Sequence, residues 1–270
     1  ALIFKKGDME LCENYRPISL LNTINKLLAR ILAVRIQGVI DPYLQPTQFG
    51  FRAKRSTGDA IHCIRRLLAQ ARATTEPNIT VLLDWEKAFD KVTHEALFIS
   101  LQRMGLPSKL INMVKALYKH PTFQVTIDGH VSNSYTQHTG IKQGCPMSPY
   151  LFLLIMTLLF HDVEYHLDST SKFTTERVGK EYVYNQHSHP RNCRMQNANF
   201  NELLYADDTI CCTRGPKAMQ ELLRAIEKVG WRFGLRLNKK KCYLLSYNSG
   251  VRVRFSDGTP VKLVEEATYL

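Results

Sequence analysis

The sequence predicts a fold of the α+β class. Segments with helical spacing and segments with strand character follow one another in mixed order, and no regular β-α-β alternation joins them. No internal repeat of fixed period is present. The longest apolar run, from Tyr150 to Phe160, is too short to span a bilayer, so we interpret it as part of a buried core helix.

The chain is long enough, at 270 residues, for one large domain or two modest ones. Its hydrophobic content of 44% and charged content of 22% are typical of a folded globular protein. The net charge of +12 favours a polyanionic partner, nucleic acid before membrane, although a solvated basic surface would give the same composition.

The cysteines argue against a disulfide framework, because they are odd in number, scattered and without a C-x-x-C pair. This usage fits a reducing compartment. The chain begins at Ala1 rather than Met and shows no change of composition before Leu270, so we expect a fragment of a longer polypeptide.

The first half contains the clearest helical patterns. Apolar residues recur at helical spacing in 19–40, where Ser19 or Asn22 could cap the helix, and again in 57–75. The β-branched and apolar run at 79–83 predicts a buried strand.

The middle of the chain alternates between helical and strand patterns. Residues 93–119 predict helical segments that are broken at Gly105–Pro107, and 123–128 alternate as a half-buried strand does before a turn at Gly129. The apolar helix is expected at 149–166.

The segment 168–200 is polar and weakly periodic, which indicates an insertion or a loop. Its His187, His189 and Cys193 match no zinc-binding spacing, so a metal cluster is not favoured there. After it the sequence predicts a hairpin in ELLYADDTICC, an amphipathic helix at 216–233, and a turn that leads into a strand in GLRLNKKKCYLLSY.

Three carboxylates stand at predicted strand ends. Asp84 ends the strand at 79–83, and Asp207 and Asp208 fall at the turn of the hairpin. Strand ends that share a sheet can bring such residues together, and carboxylate oxygens suit Mg²⁺, which also binds phosphate oxygens. Two such ions about 3.5–4 Å apart can hold the attacking and leaving oxygens of a phosphoryl transfer. An ordinary Asp-Asp turn explains the pair equally well when it is taken alone.

Six motifs together resolve that choice. VLLDWEKAFDKV, TGIKQGCPMSPYLF, YADDT and GLRLNKKK, preceded by YRPISLLNTINKLLARIL and QFGFRAKRSTGDAI, occur in the order and spacing of reverse transcriptase motifs. From about Lys5 to Leu270 the chain resembles the polymerase of LINE-type (non-LTR) retrotransposons, with group II intron reverse transcriptases as the next most similar group by motif.

The resemblance implies a right-hand polymerase fold with an antiparallel palm sheet flanked by helices. Residues 1–78 would be mostly fingers, and 79–270 mostly palm with the polar insertion near 168–200. The resemblance includes no thumb, endonuclease or C-terminal zinc region, which agrees with a fragment.

The resemblance also assigns the catalytic carboxylates. Asp84 and Asp207 would bind two Mg²⁺ ions, with Mn²⁺ as an alternative, and the carbonyl of Trp85 would complete one metal shell. Asp208 is catalytic in the family but a less direct ligand. Asp90 is interpreted as structural, as a cap at a helix start.

Other residues are implied to bind the nucleotide. Phe89 stands where the family has an aromatic gate against the ribose 2′-OH, although core packing alone would suit it. Gln143 and Gly144 match the Q-G pair that approaches the nucleotide or the template. Arg52 would contact the triphosphate, with Lys54 and Arg55 sharing the work.

Lys241 matches the lysine of L-N-x-x-K, near the β- and γ-phosphates, and its neighbours Lys239 and Lys240 leave that position ambiguous. For the basic loop around Lys54, and for Lys239 and Lys240, a solvated surface is the alternative.

The implied function is RNA-directed DNA polymerisation, with an RNA template, a DNA primer and dNTPs as partners and no membrane. Two alternatives remain open: a decayed copy that only binds nucleic acid, and a maturase-like relative of group II intron proteins. The sequence does not set the oligomeric state. For a eukaryotic copy the resemblance implies an intracellular site of action, in the nucleus.

Overall fold

A computed structural model describes residues 1–74, 78–127, 129–167, 202–213, 215–247 and 250–268. The predicted insertion at 168–200, with its His187, His189 and Cys193, lies outside the described residues. Helices and strands occur in mixed order, which confirms the α+β class. No helix in the described part of the chain is long and apolar enough to cross a membrane.

The helices begin and end close to the predicted positions. The N-terminal helix is capped by Asn22, one of the two predicted caps, whose side chain accepts a hydrogen bond from the Asn25 N–H at 2.8 Å. The described helices are α1 (Thr23–Ile40), α2 (Thr57–Thr74), α3 (Ala88–Lys91), α4 (His94–Arg103), α5 (Ser108–Leu117), α6 (Ser148–Tyr165) and α7 (Pro216–Arg232).

Most strands are short. The described strands are β1 (Leu2–Phe4), β2 (Tyr15–Pro17), β3 (Asn78–Leu83), β4 (Thr122–Phe123), β5 (Thr126–Ile127), β6 (His130–Val131), β7 (Tyr135–Thr136), β8 (Glu202–Tyr205), β9 (Asp208–Thr213), β10 (Tyr243–Tyr247) and β11 (Lys262–Leu263). Five of them form one sheet in the order β11-β10-β3-β9-β8.

The sheet is antiparallel between β10, β3, β9 and β8, as the resemblance implied. The edge strand β11 instead pairs parallel to β10, so the prediction of a purely antiparallel sheet is wrong at that edge. Antiparallel neighbours need only a hairpin, whereas a parallel neighbour needs a longer connection, here the residues between β10 and β11.

The chain divides into two compact units. The sheet unit comprises Gln45–Glu86, Leu159–Trp231 and Arg236–Leu270. The helical unit comprises Ala1–Leu44, Lys87–Leu158 and Arg232–Leu235. Each is described by itself below.

The core of the sheet unit explains why the sequence of β3 is β-branched and apolar from Ile79 to Leu83. One face of the sheet contributes Leu82, Leu203 and Ile210, which pack against Leu67 of α2. Residues of the opposite alternation, such as Val81, are buried as well. When both faces of a strand are buried, side chains on both faces pack in the core, so apolar and polar residues do not alternate along its sequence.

The apolar run of α6 is buried throughout, from Leu151 to Phe160, which confirms it as a core helix. The predicted half-buried strand at 123–128 is wrong. Phe123 lies in β4, which pairs with β7, and Thr126 and Ile127 lie in β5, which pairs with β6; the side chains of Phe123 and Ile127 are exposed.

The apolar stripe that predicted α1 is mostly not its buried face. Ile24, Leu27 and Ile31 are exposed, and the buried residues are Ala29, Leu32, Ala33, Ile36 and Ile40. The helix is apolar on more than one side, so spacing identified the helix without showing which side packs.

Candidate functional site

Two strand ends meet at one place in the sheet unit. The register of β3 and β9 pairs Leu83 with Thr209, so the next positions along the two strands are Asp84 and Asp208. The hairpin of β8 and β9 closes with Tyr205 opposite Asp208. Ala206 and Asp207 therefore form the turn, so the prediction is right for Asp207, whereas Asp208 is the first residue of β9.

The end of β3 is fastened by the segment that precedes β10. The Asn238 N–H donates to the Asp84 carbonyl at 2.8 Å, and the Glu86 N–H donates to the Arg236 carbonyl at 2.9 Å. Trp85 and Leu237 form an isolated antiparallel bridge between these two bonds. The backbone on both sides of Asp84 is thus fixed.

A buried hydrogen-bond chain joins the two strand ends. The indole N–H of Trp85 donates to the Thr209 hydroxyl at 3.1 Å, and that hydroxyl donates to the Asp207 carbonyl at 3.1 Å. Trp85 and Thr209 are both buried. Sequence reasoning considered only the Trp85 carbonyl, as a metal ligand, whereas the structure gives the side chain a part in aligning the site.

The environment of Asp84 contains opposing influences. Burial raises the pKa of its carboxyl above the ordinary value, while the Lys241 ammonium and a hydrogen bond from the Asn238 side chain lower it and Glu86 raises it. Lys241 and Asn238 therefore lie close to this carboxylate. Sequence reasoning did not single out Asn238, although the L-N-x-x-K motif contains it.

The influences on Asp208 all act in one direction. Burial raises the pKa of its carboxyl, the charges of Asp207 and Asp84 raise it further, and the result is about 6. Asp208 is thus close enough to both other predicted carboxylates to be repelled by them. A positive charge among them would relieve that repulsion.

The carboxylates do not form a closed cage. Among the residues that the structure describes, no three His, Cys, Asp or Glu side chains are arranged so that they could enclose an ion by themselves. Mg²⁺ sites of phosphoryl-transfer enzymes need only one or two carboxylates, since waters and substrate phosphates supply the other ligands. The donor set is oxygen-only and fits that kind of site.

The three consecutive lysines have different surroundings. The Lys239 ammonium lies 2.6 Å from Asp257 Oδ2, 4.0 Å from Glu227 Oε1 and 5.3 Å from the centroid of the Phe255 ring. Lys239 is therefore engaged in the fold, while Lys241 acts on Asp84. This supports Lys241, the position predicted from the motif.

In the basic loop before α2, two arginine side chains donate hydrogen bonds to backbone carbonyls of the loop itself. Arg52 Nη1 donates to the Gln45 carbonyl at 3.1 Å, and Arg55 Nη1 donates to the carbonyls of Pro46 and Gln48. Lys54 is exposed. Arg52, predicted to contact a triphosphate, thus also holds the loop in shape.

Phe89, predicted as an aromatic gate, lies in the helical unit. Its ring is half-buried and stacks on that of Phe152, with the centroids 4.4 Å apart. This contact gives Phe89 a packing role that the sequence could not distinguish from that of a gate.

The predicted glutamine and glycine, Gln143 and Gly144, lie in the same unit. Gln143 Nε2 donates to the Asp90 carboxylate at 2.9 Å. Gly144 has φ +97°, and a Cβ there would lie 2.9 Å from the Ser19 carbonyl oxygen. Glycine is therefore required by the local backbone, whatever else approaches it.

The prediction that Asp90 caps a helix start is wrong. It lies within α3, whose N-cap position is Lys87 with φ +45° and no capping side chain. Its carboxylate orients Gln143 instead, so its structural role holds in another form.

Comparison with known proteins agrees with the family that the motifs indicate. A family model described as "Reverse transcriptase (RNA-dependent DNA polymerase)" matches residues 3–269. The chain therefore belongs to the reverse transcriptase family.

Its relatives confirm the resemblance to non-LTR retrotransposons. The chain is 34% identical over 154 residues to a Xenopus laevis transposon TX1 protein, covering 57% of this chain and 12% of the relative. It is 26% identical to the probable RNA-directed DNA polymerase from transposon BS of Drosophila melanogaster, covering 100% of this chain and 28% of the relative. It is also 26% identical to the RNA-directed DNA polymerase from mobile element jockey of the same species, covering 85% and 23%.

Solved structures show a related fold at low identity. Apo telomerase from Candida tropicalis, truncated from the C-terminal domain, superposes with a TM-score of 0.56 at 13% identity, covering 86% of this chain and 43% of that one. Telomerase from Candida albicans in complex with a TWJ fragment of telomeric RNA gives 0.53 at 11% identity, covering 85% and 36%. The chain thus spans less than a third of the relatives named above and less than half of these structures.

Proposed function

We propose that this chain is the fingers and palm of a retrotransposon reverse transcriptase and acts as an RNA-directed DNA polymerase. Residues 1–78 would be mostly fingers and 79–270 mostly palm. The observation that carries the proposal is the meeting of Asp84 with Asp207 and Asp208 at adjoining strand ends, where their charges act on one another.

Asp84 and Asp207 are the proposed ligands of two Mg²⁺ ions, with Mn²⁺ as an alternative, and Asp208 and the Trp85 carbonyl support them. When bound, the ions would stabilise the charge that develops on the attacking and leaving oxygens. The repulsion that Asp207 and Asp84 exert on Asp208 supports this assignment, because a bound cation would relieve it.

In the proposed reaction the primer 3′-OH attacks the α-phosphate of a dNTP. A bond forms between the 3′ oxygen and that phosphorus, the bond to the β-phosphate oxygen breaks, and pyrophosphate leaves. Lys241, beside Asp84, would neutralise or protonate the leaving group. Such catalysis depends mainly on positioning and charge stabilisation.

The remaining site residues are proposed to hold the nucleotide. Arg52 would contact the triphosphate, Phe89 would exclude a ribose 2′-OH, and Gln143 with Gly144 would lie along the base or the template. The contact of Gln143 with Asp90 supports this role, because it orients the amide.

The proposed macromolecular partners are an RNA template and a DNA primer. The net charge of +12 supports binding to their phosphates, with an affinity that falls as salt rises. The related telomerase fold has been solved with a bound RNA fragment. Because the relatives are eukaryotic transposons, the proposed place of action is the nucleus.

The test is Mg²⁺-dependent dNTP incorporation on an RNA template with a DNA primer. It compares wild type with Asp207→Ala, both in this chain and in the longest natural polypeptide that contains it. We expect incorporation by wild type and loss in the variant. Equal activity of the two, or template binding without any incorporation by either wild-type form, would contradict polymerase activity and favour a copy that only binds nucleic acid.

The gate is tested separately by Phe89→Val with dNTP and rNTP substrates. We expect the variant to incorporate rNTPs better relative to dNTPs, because the shorter side chain leaves room for the 2′-OH. Unchanged sugar selectivity would leave Phe89 with its packing on Phe152 alone.

A further inference from the structure

The structure assigns a positioning role to Gln48: its buried amide holds the backbone of the turn that presents Asp207 and Asp208. This inference rests on the proposed function, because it concerns the same carboxylates. It concerns a different part of the sequence, 158 residues away from Ala206.

Gln48 is a polar residue in an unusual place. Its side chain is fully buried, with 0% exposure. A buried amide costs free energy unless its polar atoms find partners. The partners of Gln48 are the backbone groups of the catalytic turn and of its own loop.

The Gln48 side-chain amide makes three hydrogen bonds, which is most of its hydrogen-bonding capacity. Gln48 Oε1 accepts from the Ala206 N–H at 3.0 Å and from the Gly50 N–H at 2.8 Å, and Nε2 donates to the Ala206 carbonyl at 3.3 Å. Two N–H groups face Oε1, which fixes the orientation of the amide. One side chain therefore binds both polar groups of Ala206.

Ala206 needs such support. Its φ is +56°, in the left-handed region that L-residues other than Gly, Asn and Asp rarely adopt. This conformation starts the turn between β8 and β9, so it sets the direction in which Asp207 and Asp208 leave the strand. Two-residue hairpin turns favour positive φ at this position, and the bonds from Gln48 help to hold it at an alanine.

The Gln48 loop is itself fixed against the sheet edge. The Leu204 N–H donates to the Thr47 carbonyl at 3.0 Å, and the Phe49 N–H donates to the Leu204 carbonyl at 2.8 Å. These bonds place Gln48 beside β8 as an isolated parallel bridge. The loop that carries Gln48 is therefore held in place by its own backbone hydrogen bonds to β8.

Gly50 shows how closely the loop and the turn approach. A Cβ built on Gly50 would lie 2.3 Å from the Ala206 nitrogen. The QFG stretch thus contributes a glycine that permits the contact and a glutamine that bonds across it. Both residues meet the backbone of Ala206, so we infer that both act through it.

The test first replaces the Gln48 amide by a side chain of similar shape. It then relieves the backbone strain at Ala206 with a second substitution. Gln48→Met removes all three bonds, and Gln48→Glu keeps an acceptor for the two N–H groups. We expect Gln48→Met to lower incorporation about 100-fold and to raise the Mg²⁺ concentration for half-maximal activity. Gln48→Glu should lose less, because a carboxyl kept neutral by burial still accepts from the two N–H groups and can donate to the Ala206 carbonyl.

The diagnostic variant is Ala206→Gly in the Gln48→Met background. Glycine adopts positive φ without the cost that alanine has, so this second change should recover about tenfold of the lost activity. Because glycine at positive φ also stabilises the fold in general, Ala206→Gly in the wild-type background is the reference, and its gain should be clearly larger in the Gln48→Met background.

Gln220 provides a matched control. Its amide makes the same pair of bonds to a backbone elsewhere in the sheet unit: Nε2 donates to the Arg254 carbonyl at 2.6 Å, and Oε1 accepts from the Arg254 N–H at 2.9 Å. Gln220→Met should leave incorporation and its Mg²⁺ dependence unchanged.

A second readout does not need activity. Hydrogen exchange at the Ala206 amide should speed up at least tenfold in Gln48→Met and remain at the wild-type rate in Gln220→Met. If wild type fails to incorporate dNTPs but this difference appears, the proposed function fails and the role of Gln48 in positioning the turn stands.

Three results would overturn the role of Gln48. The first is that Gln48→Met incorporates dNTPs at the wild-type rate. The second is that Ala206→Gly restores no activity in a double variant that folds. The third is that hydrogen exchange at the Ala206 amide is as slow in Gln48→Met as in wild type. If Gln48→Met does not fold, Gln48→Glu decides by the same readouts.

Discussion

The two strand ends of the site are supported in different ways. The end of β3 carries Asp84 beside a lysine and an asparagine that favour its charge. The turn between β8 and β9 carries Asp207 and Asp208, and every influence on Asp208 disfavours its charge. Hydrogen bonds hold the backbone at both ends, but only the first end also has neighbouring groups that favour the charge of its carboxylate.

This difference shows which parts of the site can exist without a cation. Asp84 keeps local partners whatever is bound, because Asn238 and Lys241 come from the adjoining segment. The turn brings further carboxylates together, and its geometry is maintained by Gln48 and Thr209, which do not neutralise them. We therefore expect a bound cation to matter most for the charge of the turn.

The largest effect should come from removing the charge at the β3 end. Asp84→Asn should lower Mg²⁺-dependent incorporation by about 10³-fold or more, because an amide is a poor substitute for an anionic metal ligand. The measurement is single-nucleotide extension at several Mg²⁺ concentrations.

Glu221→Gln, the same carboxylate-to-amide change on the exposed side of α7, is the control for Asp84→Asn and should be neutral. If Asp84→Asn extended the primer at the wild-type rate, Asp84 would have no role in the reaction.

A large effect should also follow from crowding the backbone of the turn. Gly50→Ala places a methyl group 2.3 Å from the Ala206 nitrogen, so the backbone must shift. We expect about 1–3 kcal/mol lower free energy of unfolding, together with reduced incorporation. Denaturant unfolding and extension assays measure the two.

The contrasting variant for Gly50→Ala is Gly38→Ala in α1, where a Cβ meets nothing within 4 Å. That change should raise stability by about 0.5–1 kcal/mol, since alanine is the better helix former. If both variants behaved alike, the close approach at Gly50 would not matter.

A smaller effect is expected from the lysines near the β3 end. Lys241→Ala should lower the incorporation rate by about 100-fold if it acts on the leaving pyrophosphate. Lys239→Ala should instead leave the rate nearly unchanged, because its ammonium is paired with Asp257. Pre-steady-state extension separates the two, and equal losses would contradict the distinction.

The smallest effect should come from the link between the two ends. Thr209→Val keeps the shape of the side chain but leaves the Trp85 indole N–H without its buried acceptor. We expect a loss of about 1–3 kcal/mol in stability and several-fold slower incorporation.

Thr213→Val on the same strand removes a hydroxyl that donates to the Gly215 carbonyl and should affect stability only. If incorporation were equally slow in Thr213→Val, the effect of Thr209→Val could not be attributed to the hydrogen bonds that join the two strand ends.

Several features could be read from the sequence because they depend on local periodicity. The helices α1, α2, α6 and α7, the strand β3 and the hairpin around YADD are visible in apolar spacing and turn residues. The site carboxylates were predicted as well, since Asp84, Asp207 and Asp208 follow strand patterns directly. The short strands β4 to β7 were not, because two-residue pairings leave no alternation to detect.

By itself, then, the sequence determined the α+β class, the family and the three carboxylates. Only the tertiary structure decided which lysine lies near Asp84, which face of α1 is buried, that Asp90 orients Gln143, and that Gln48 holds Ala206. The physical reason is the range of the interactions. Periodicity and turn chemistry act over a few residues, whereas the buried amide of Gln48 and the ammonium of Lys241 find their partners on other segments, at separations that no local pattern encodes.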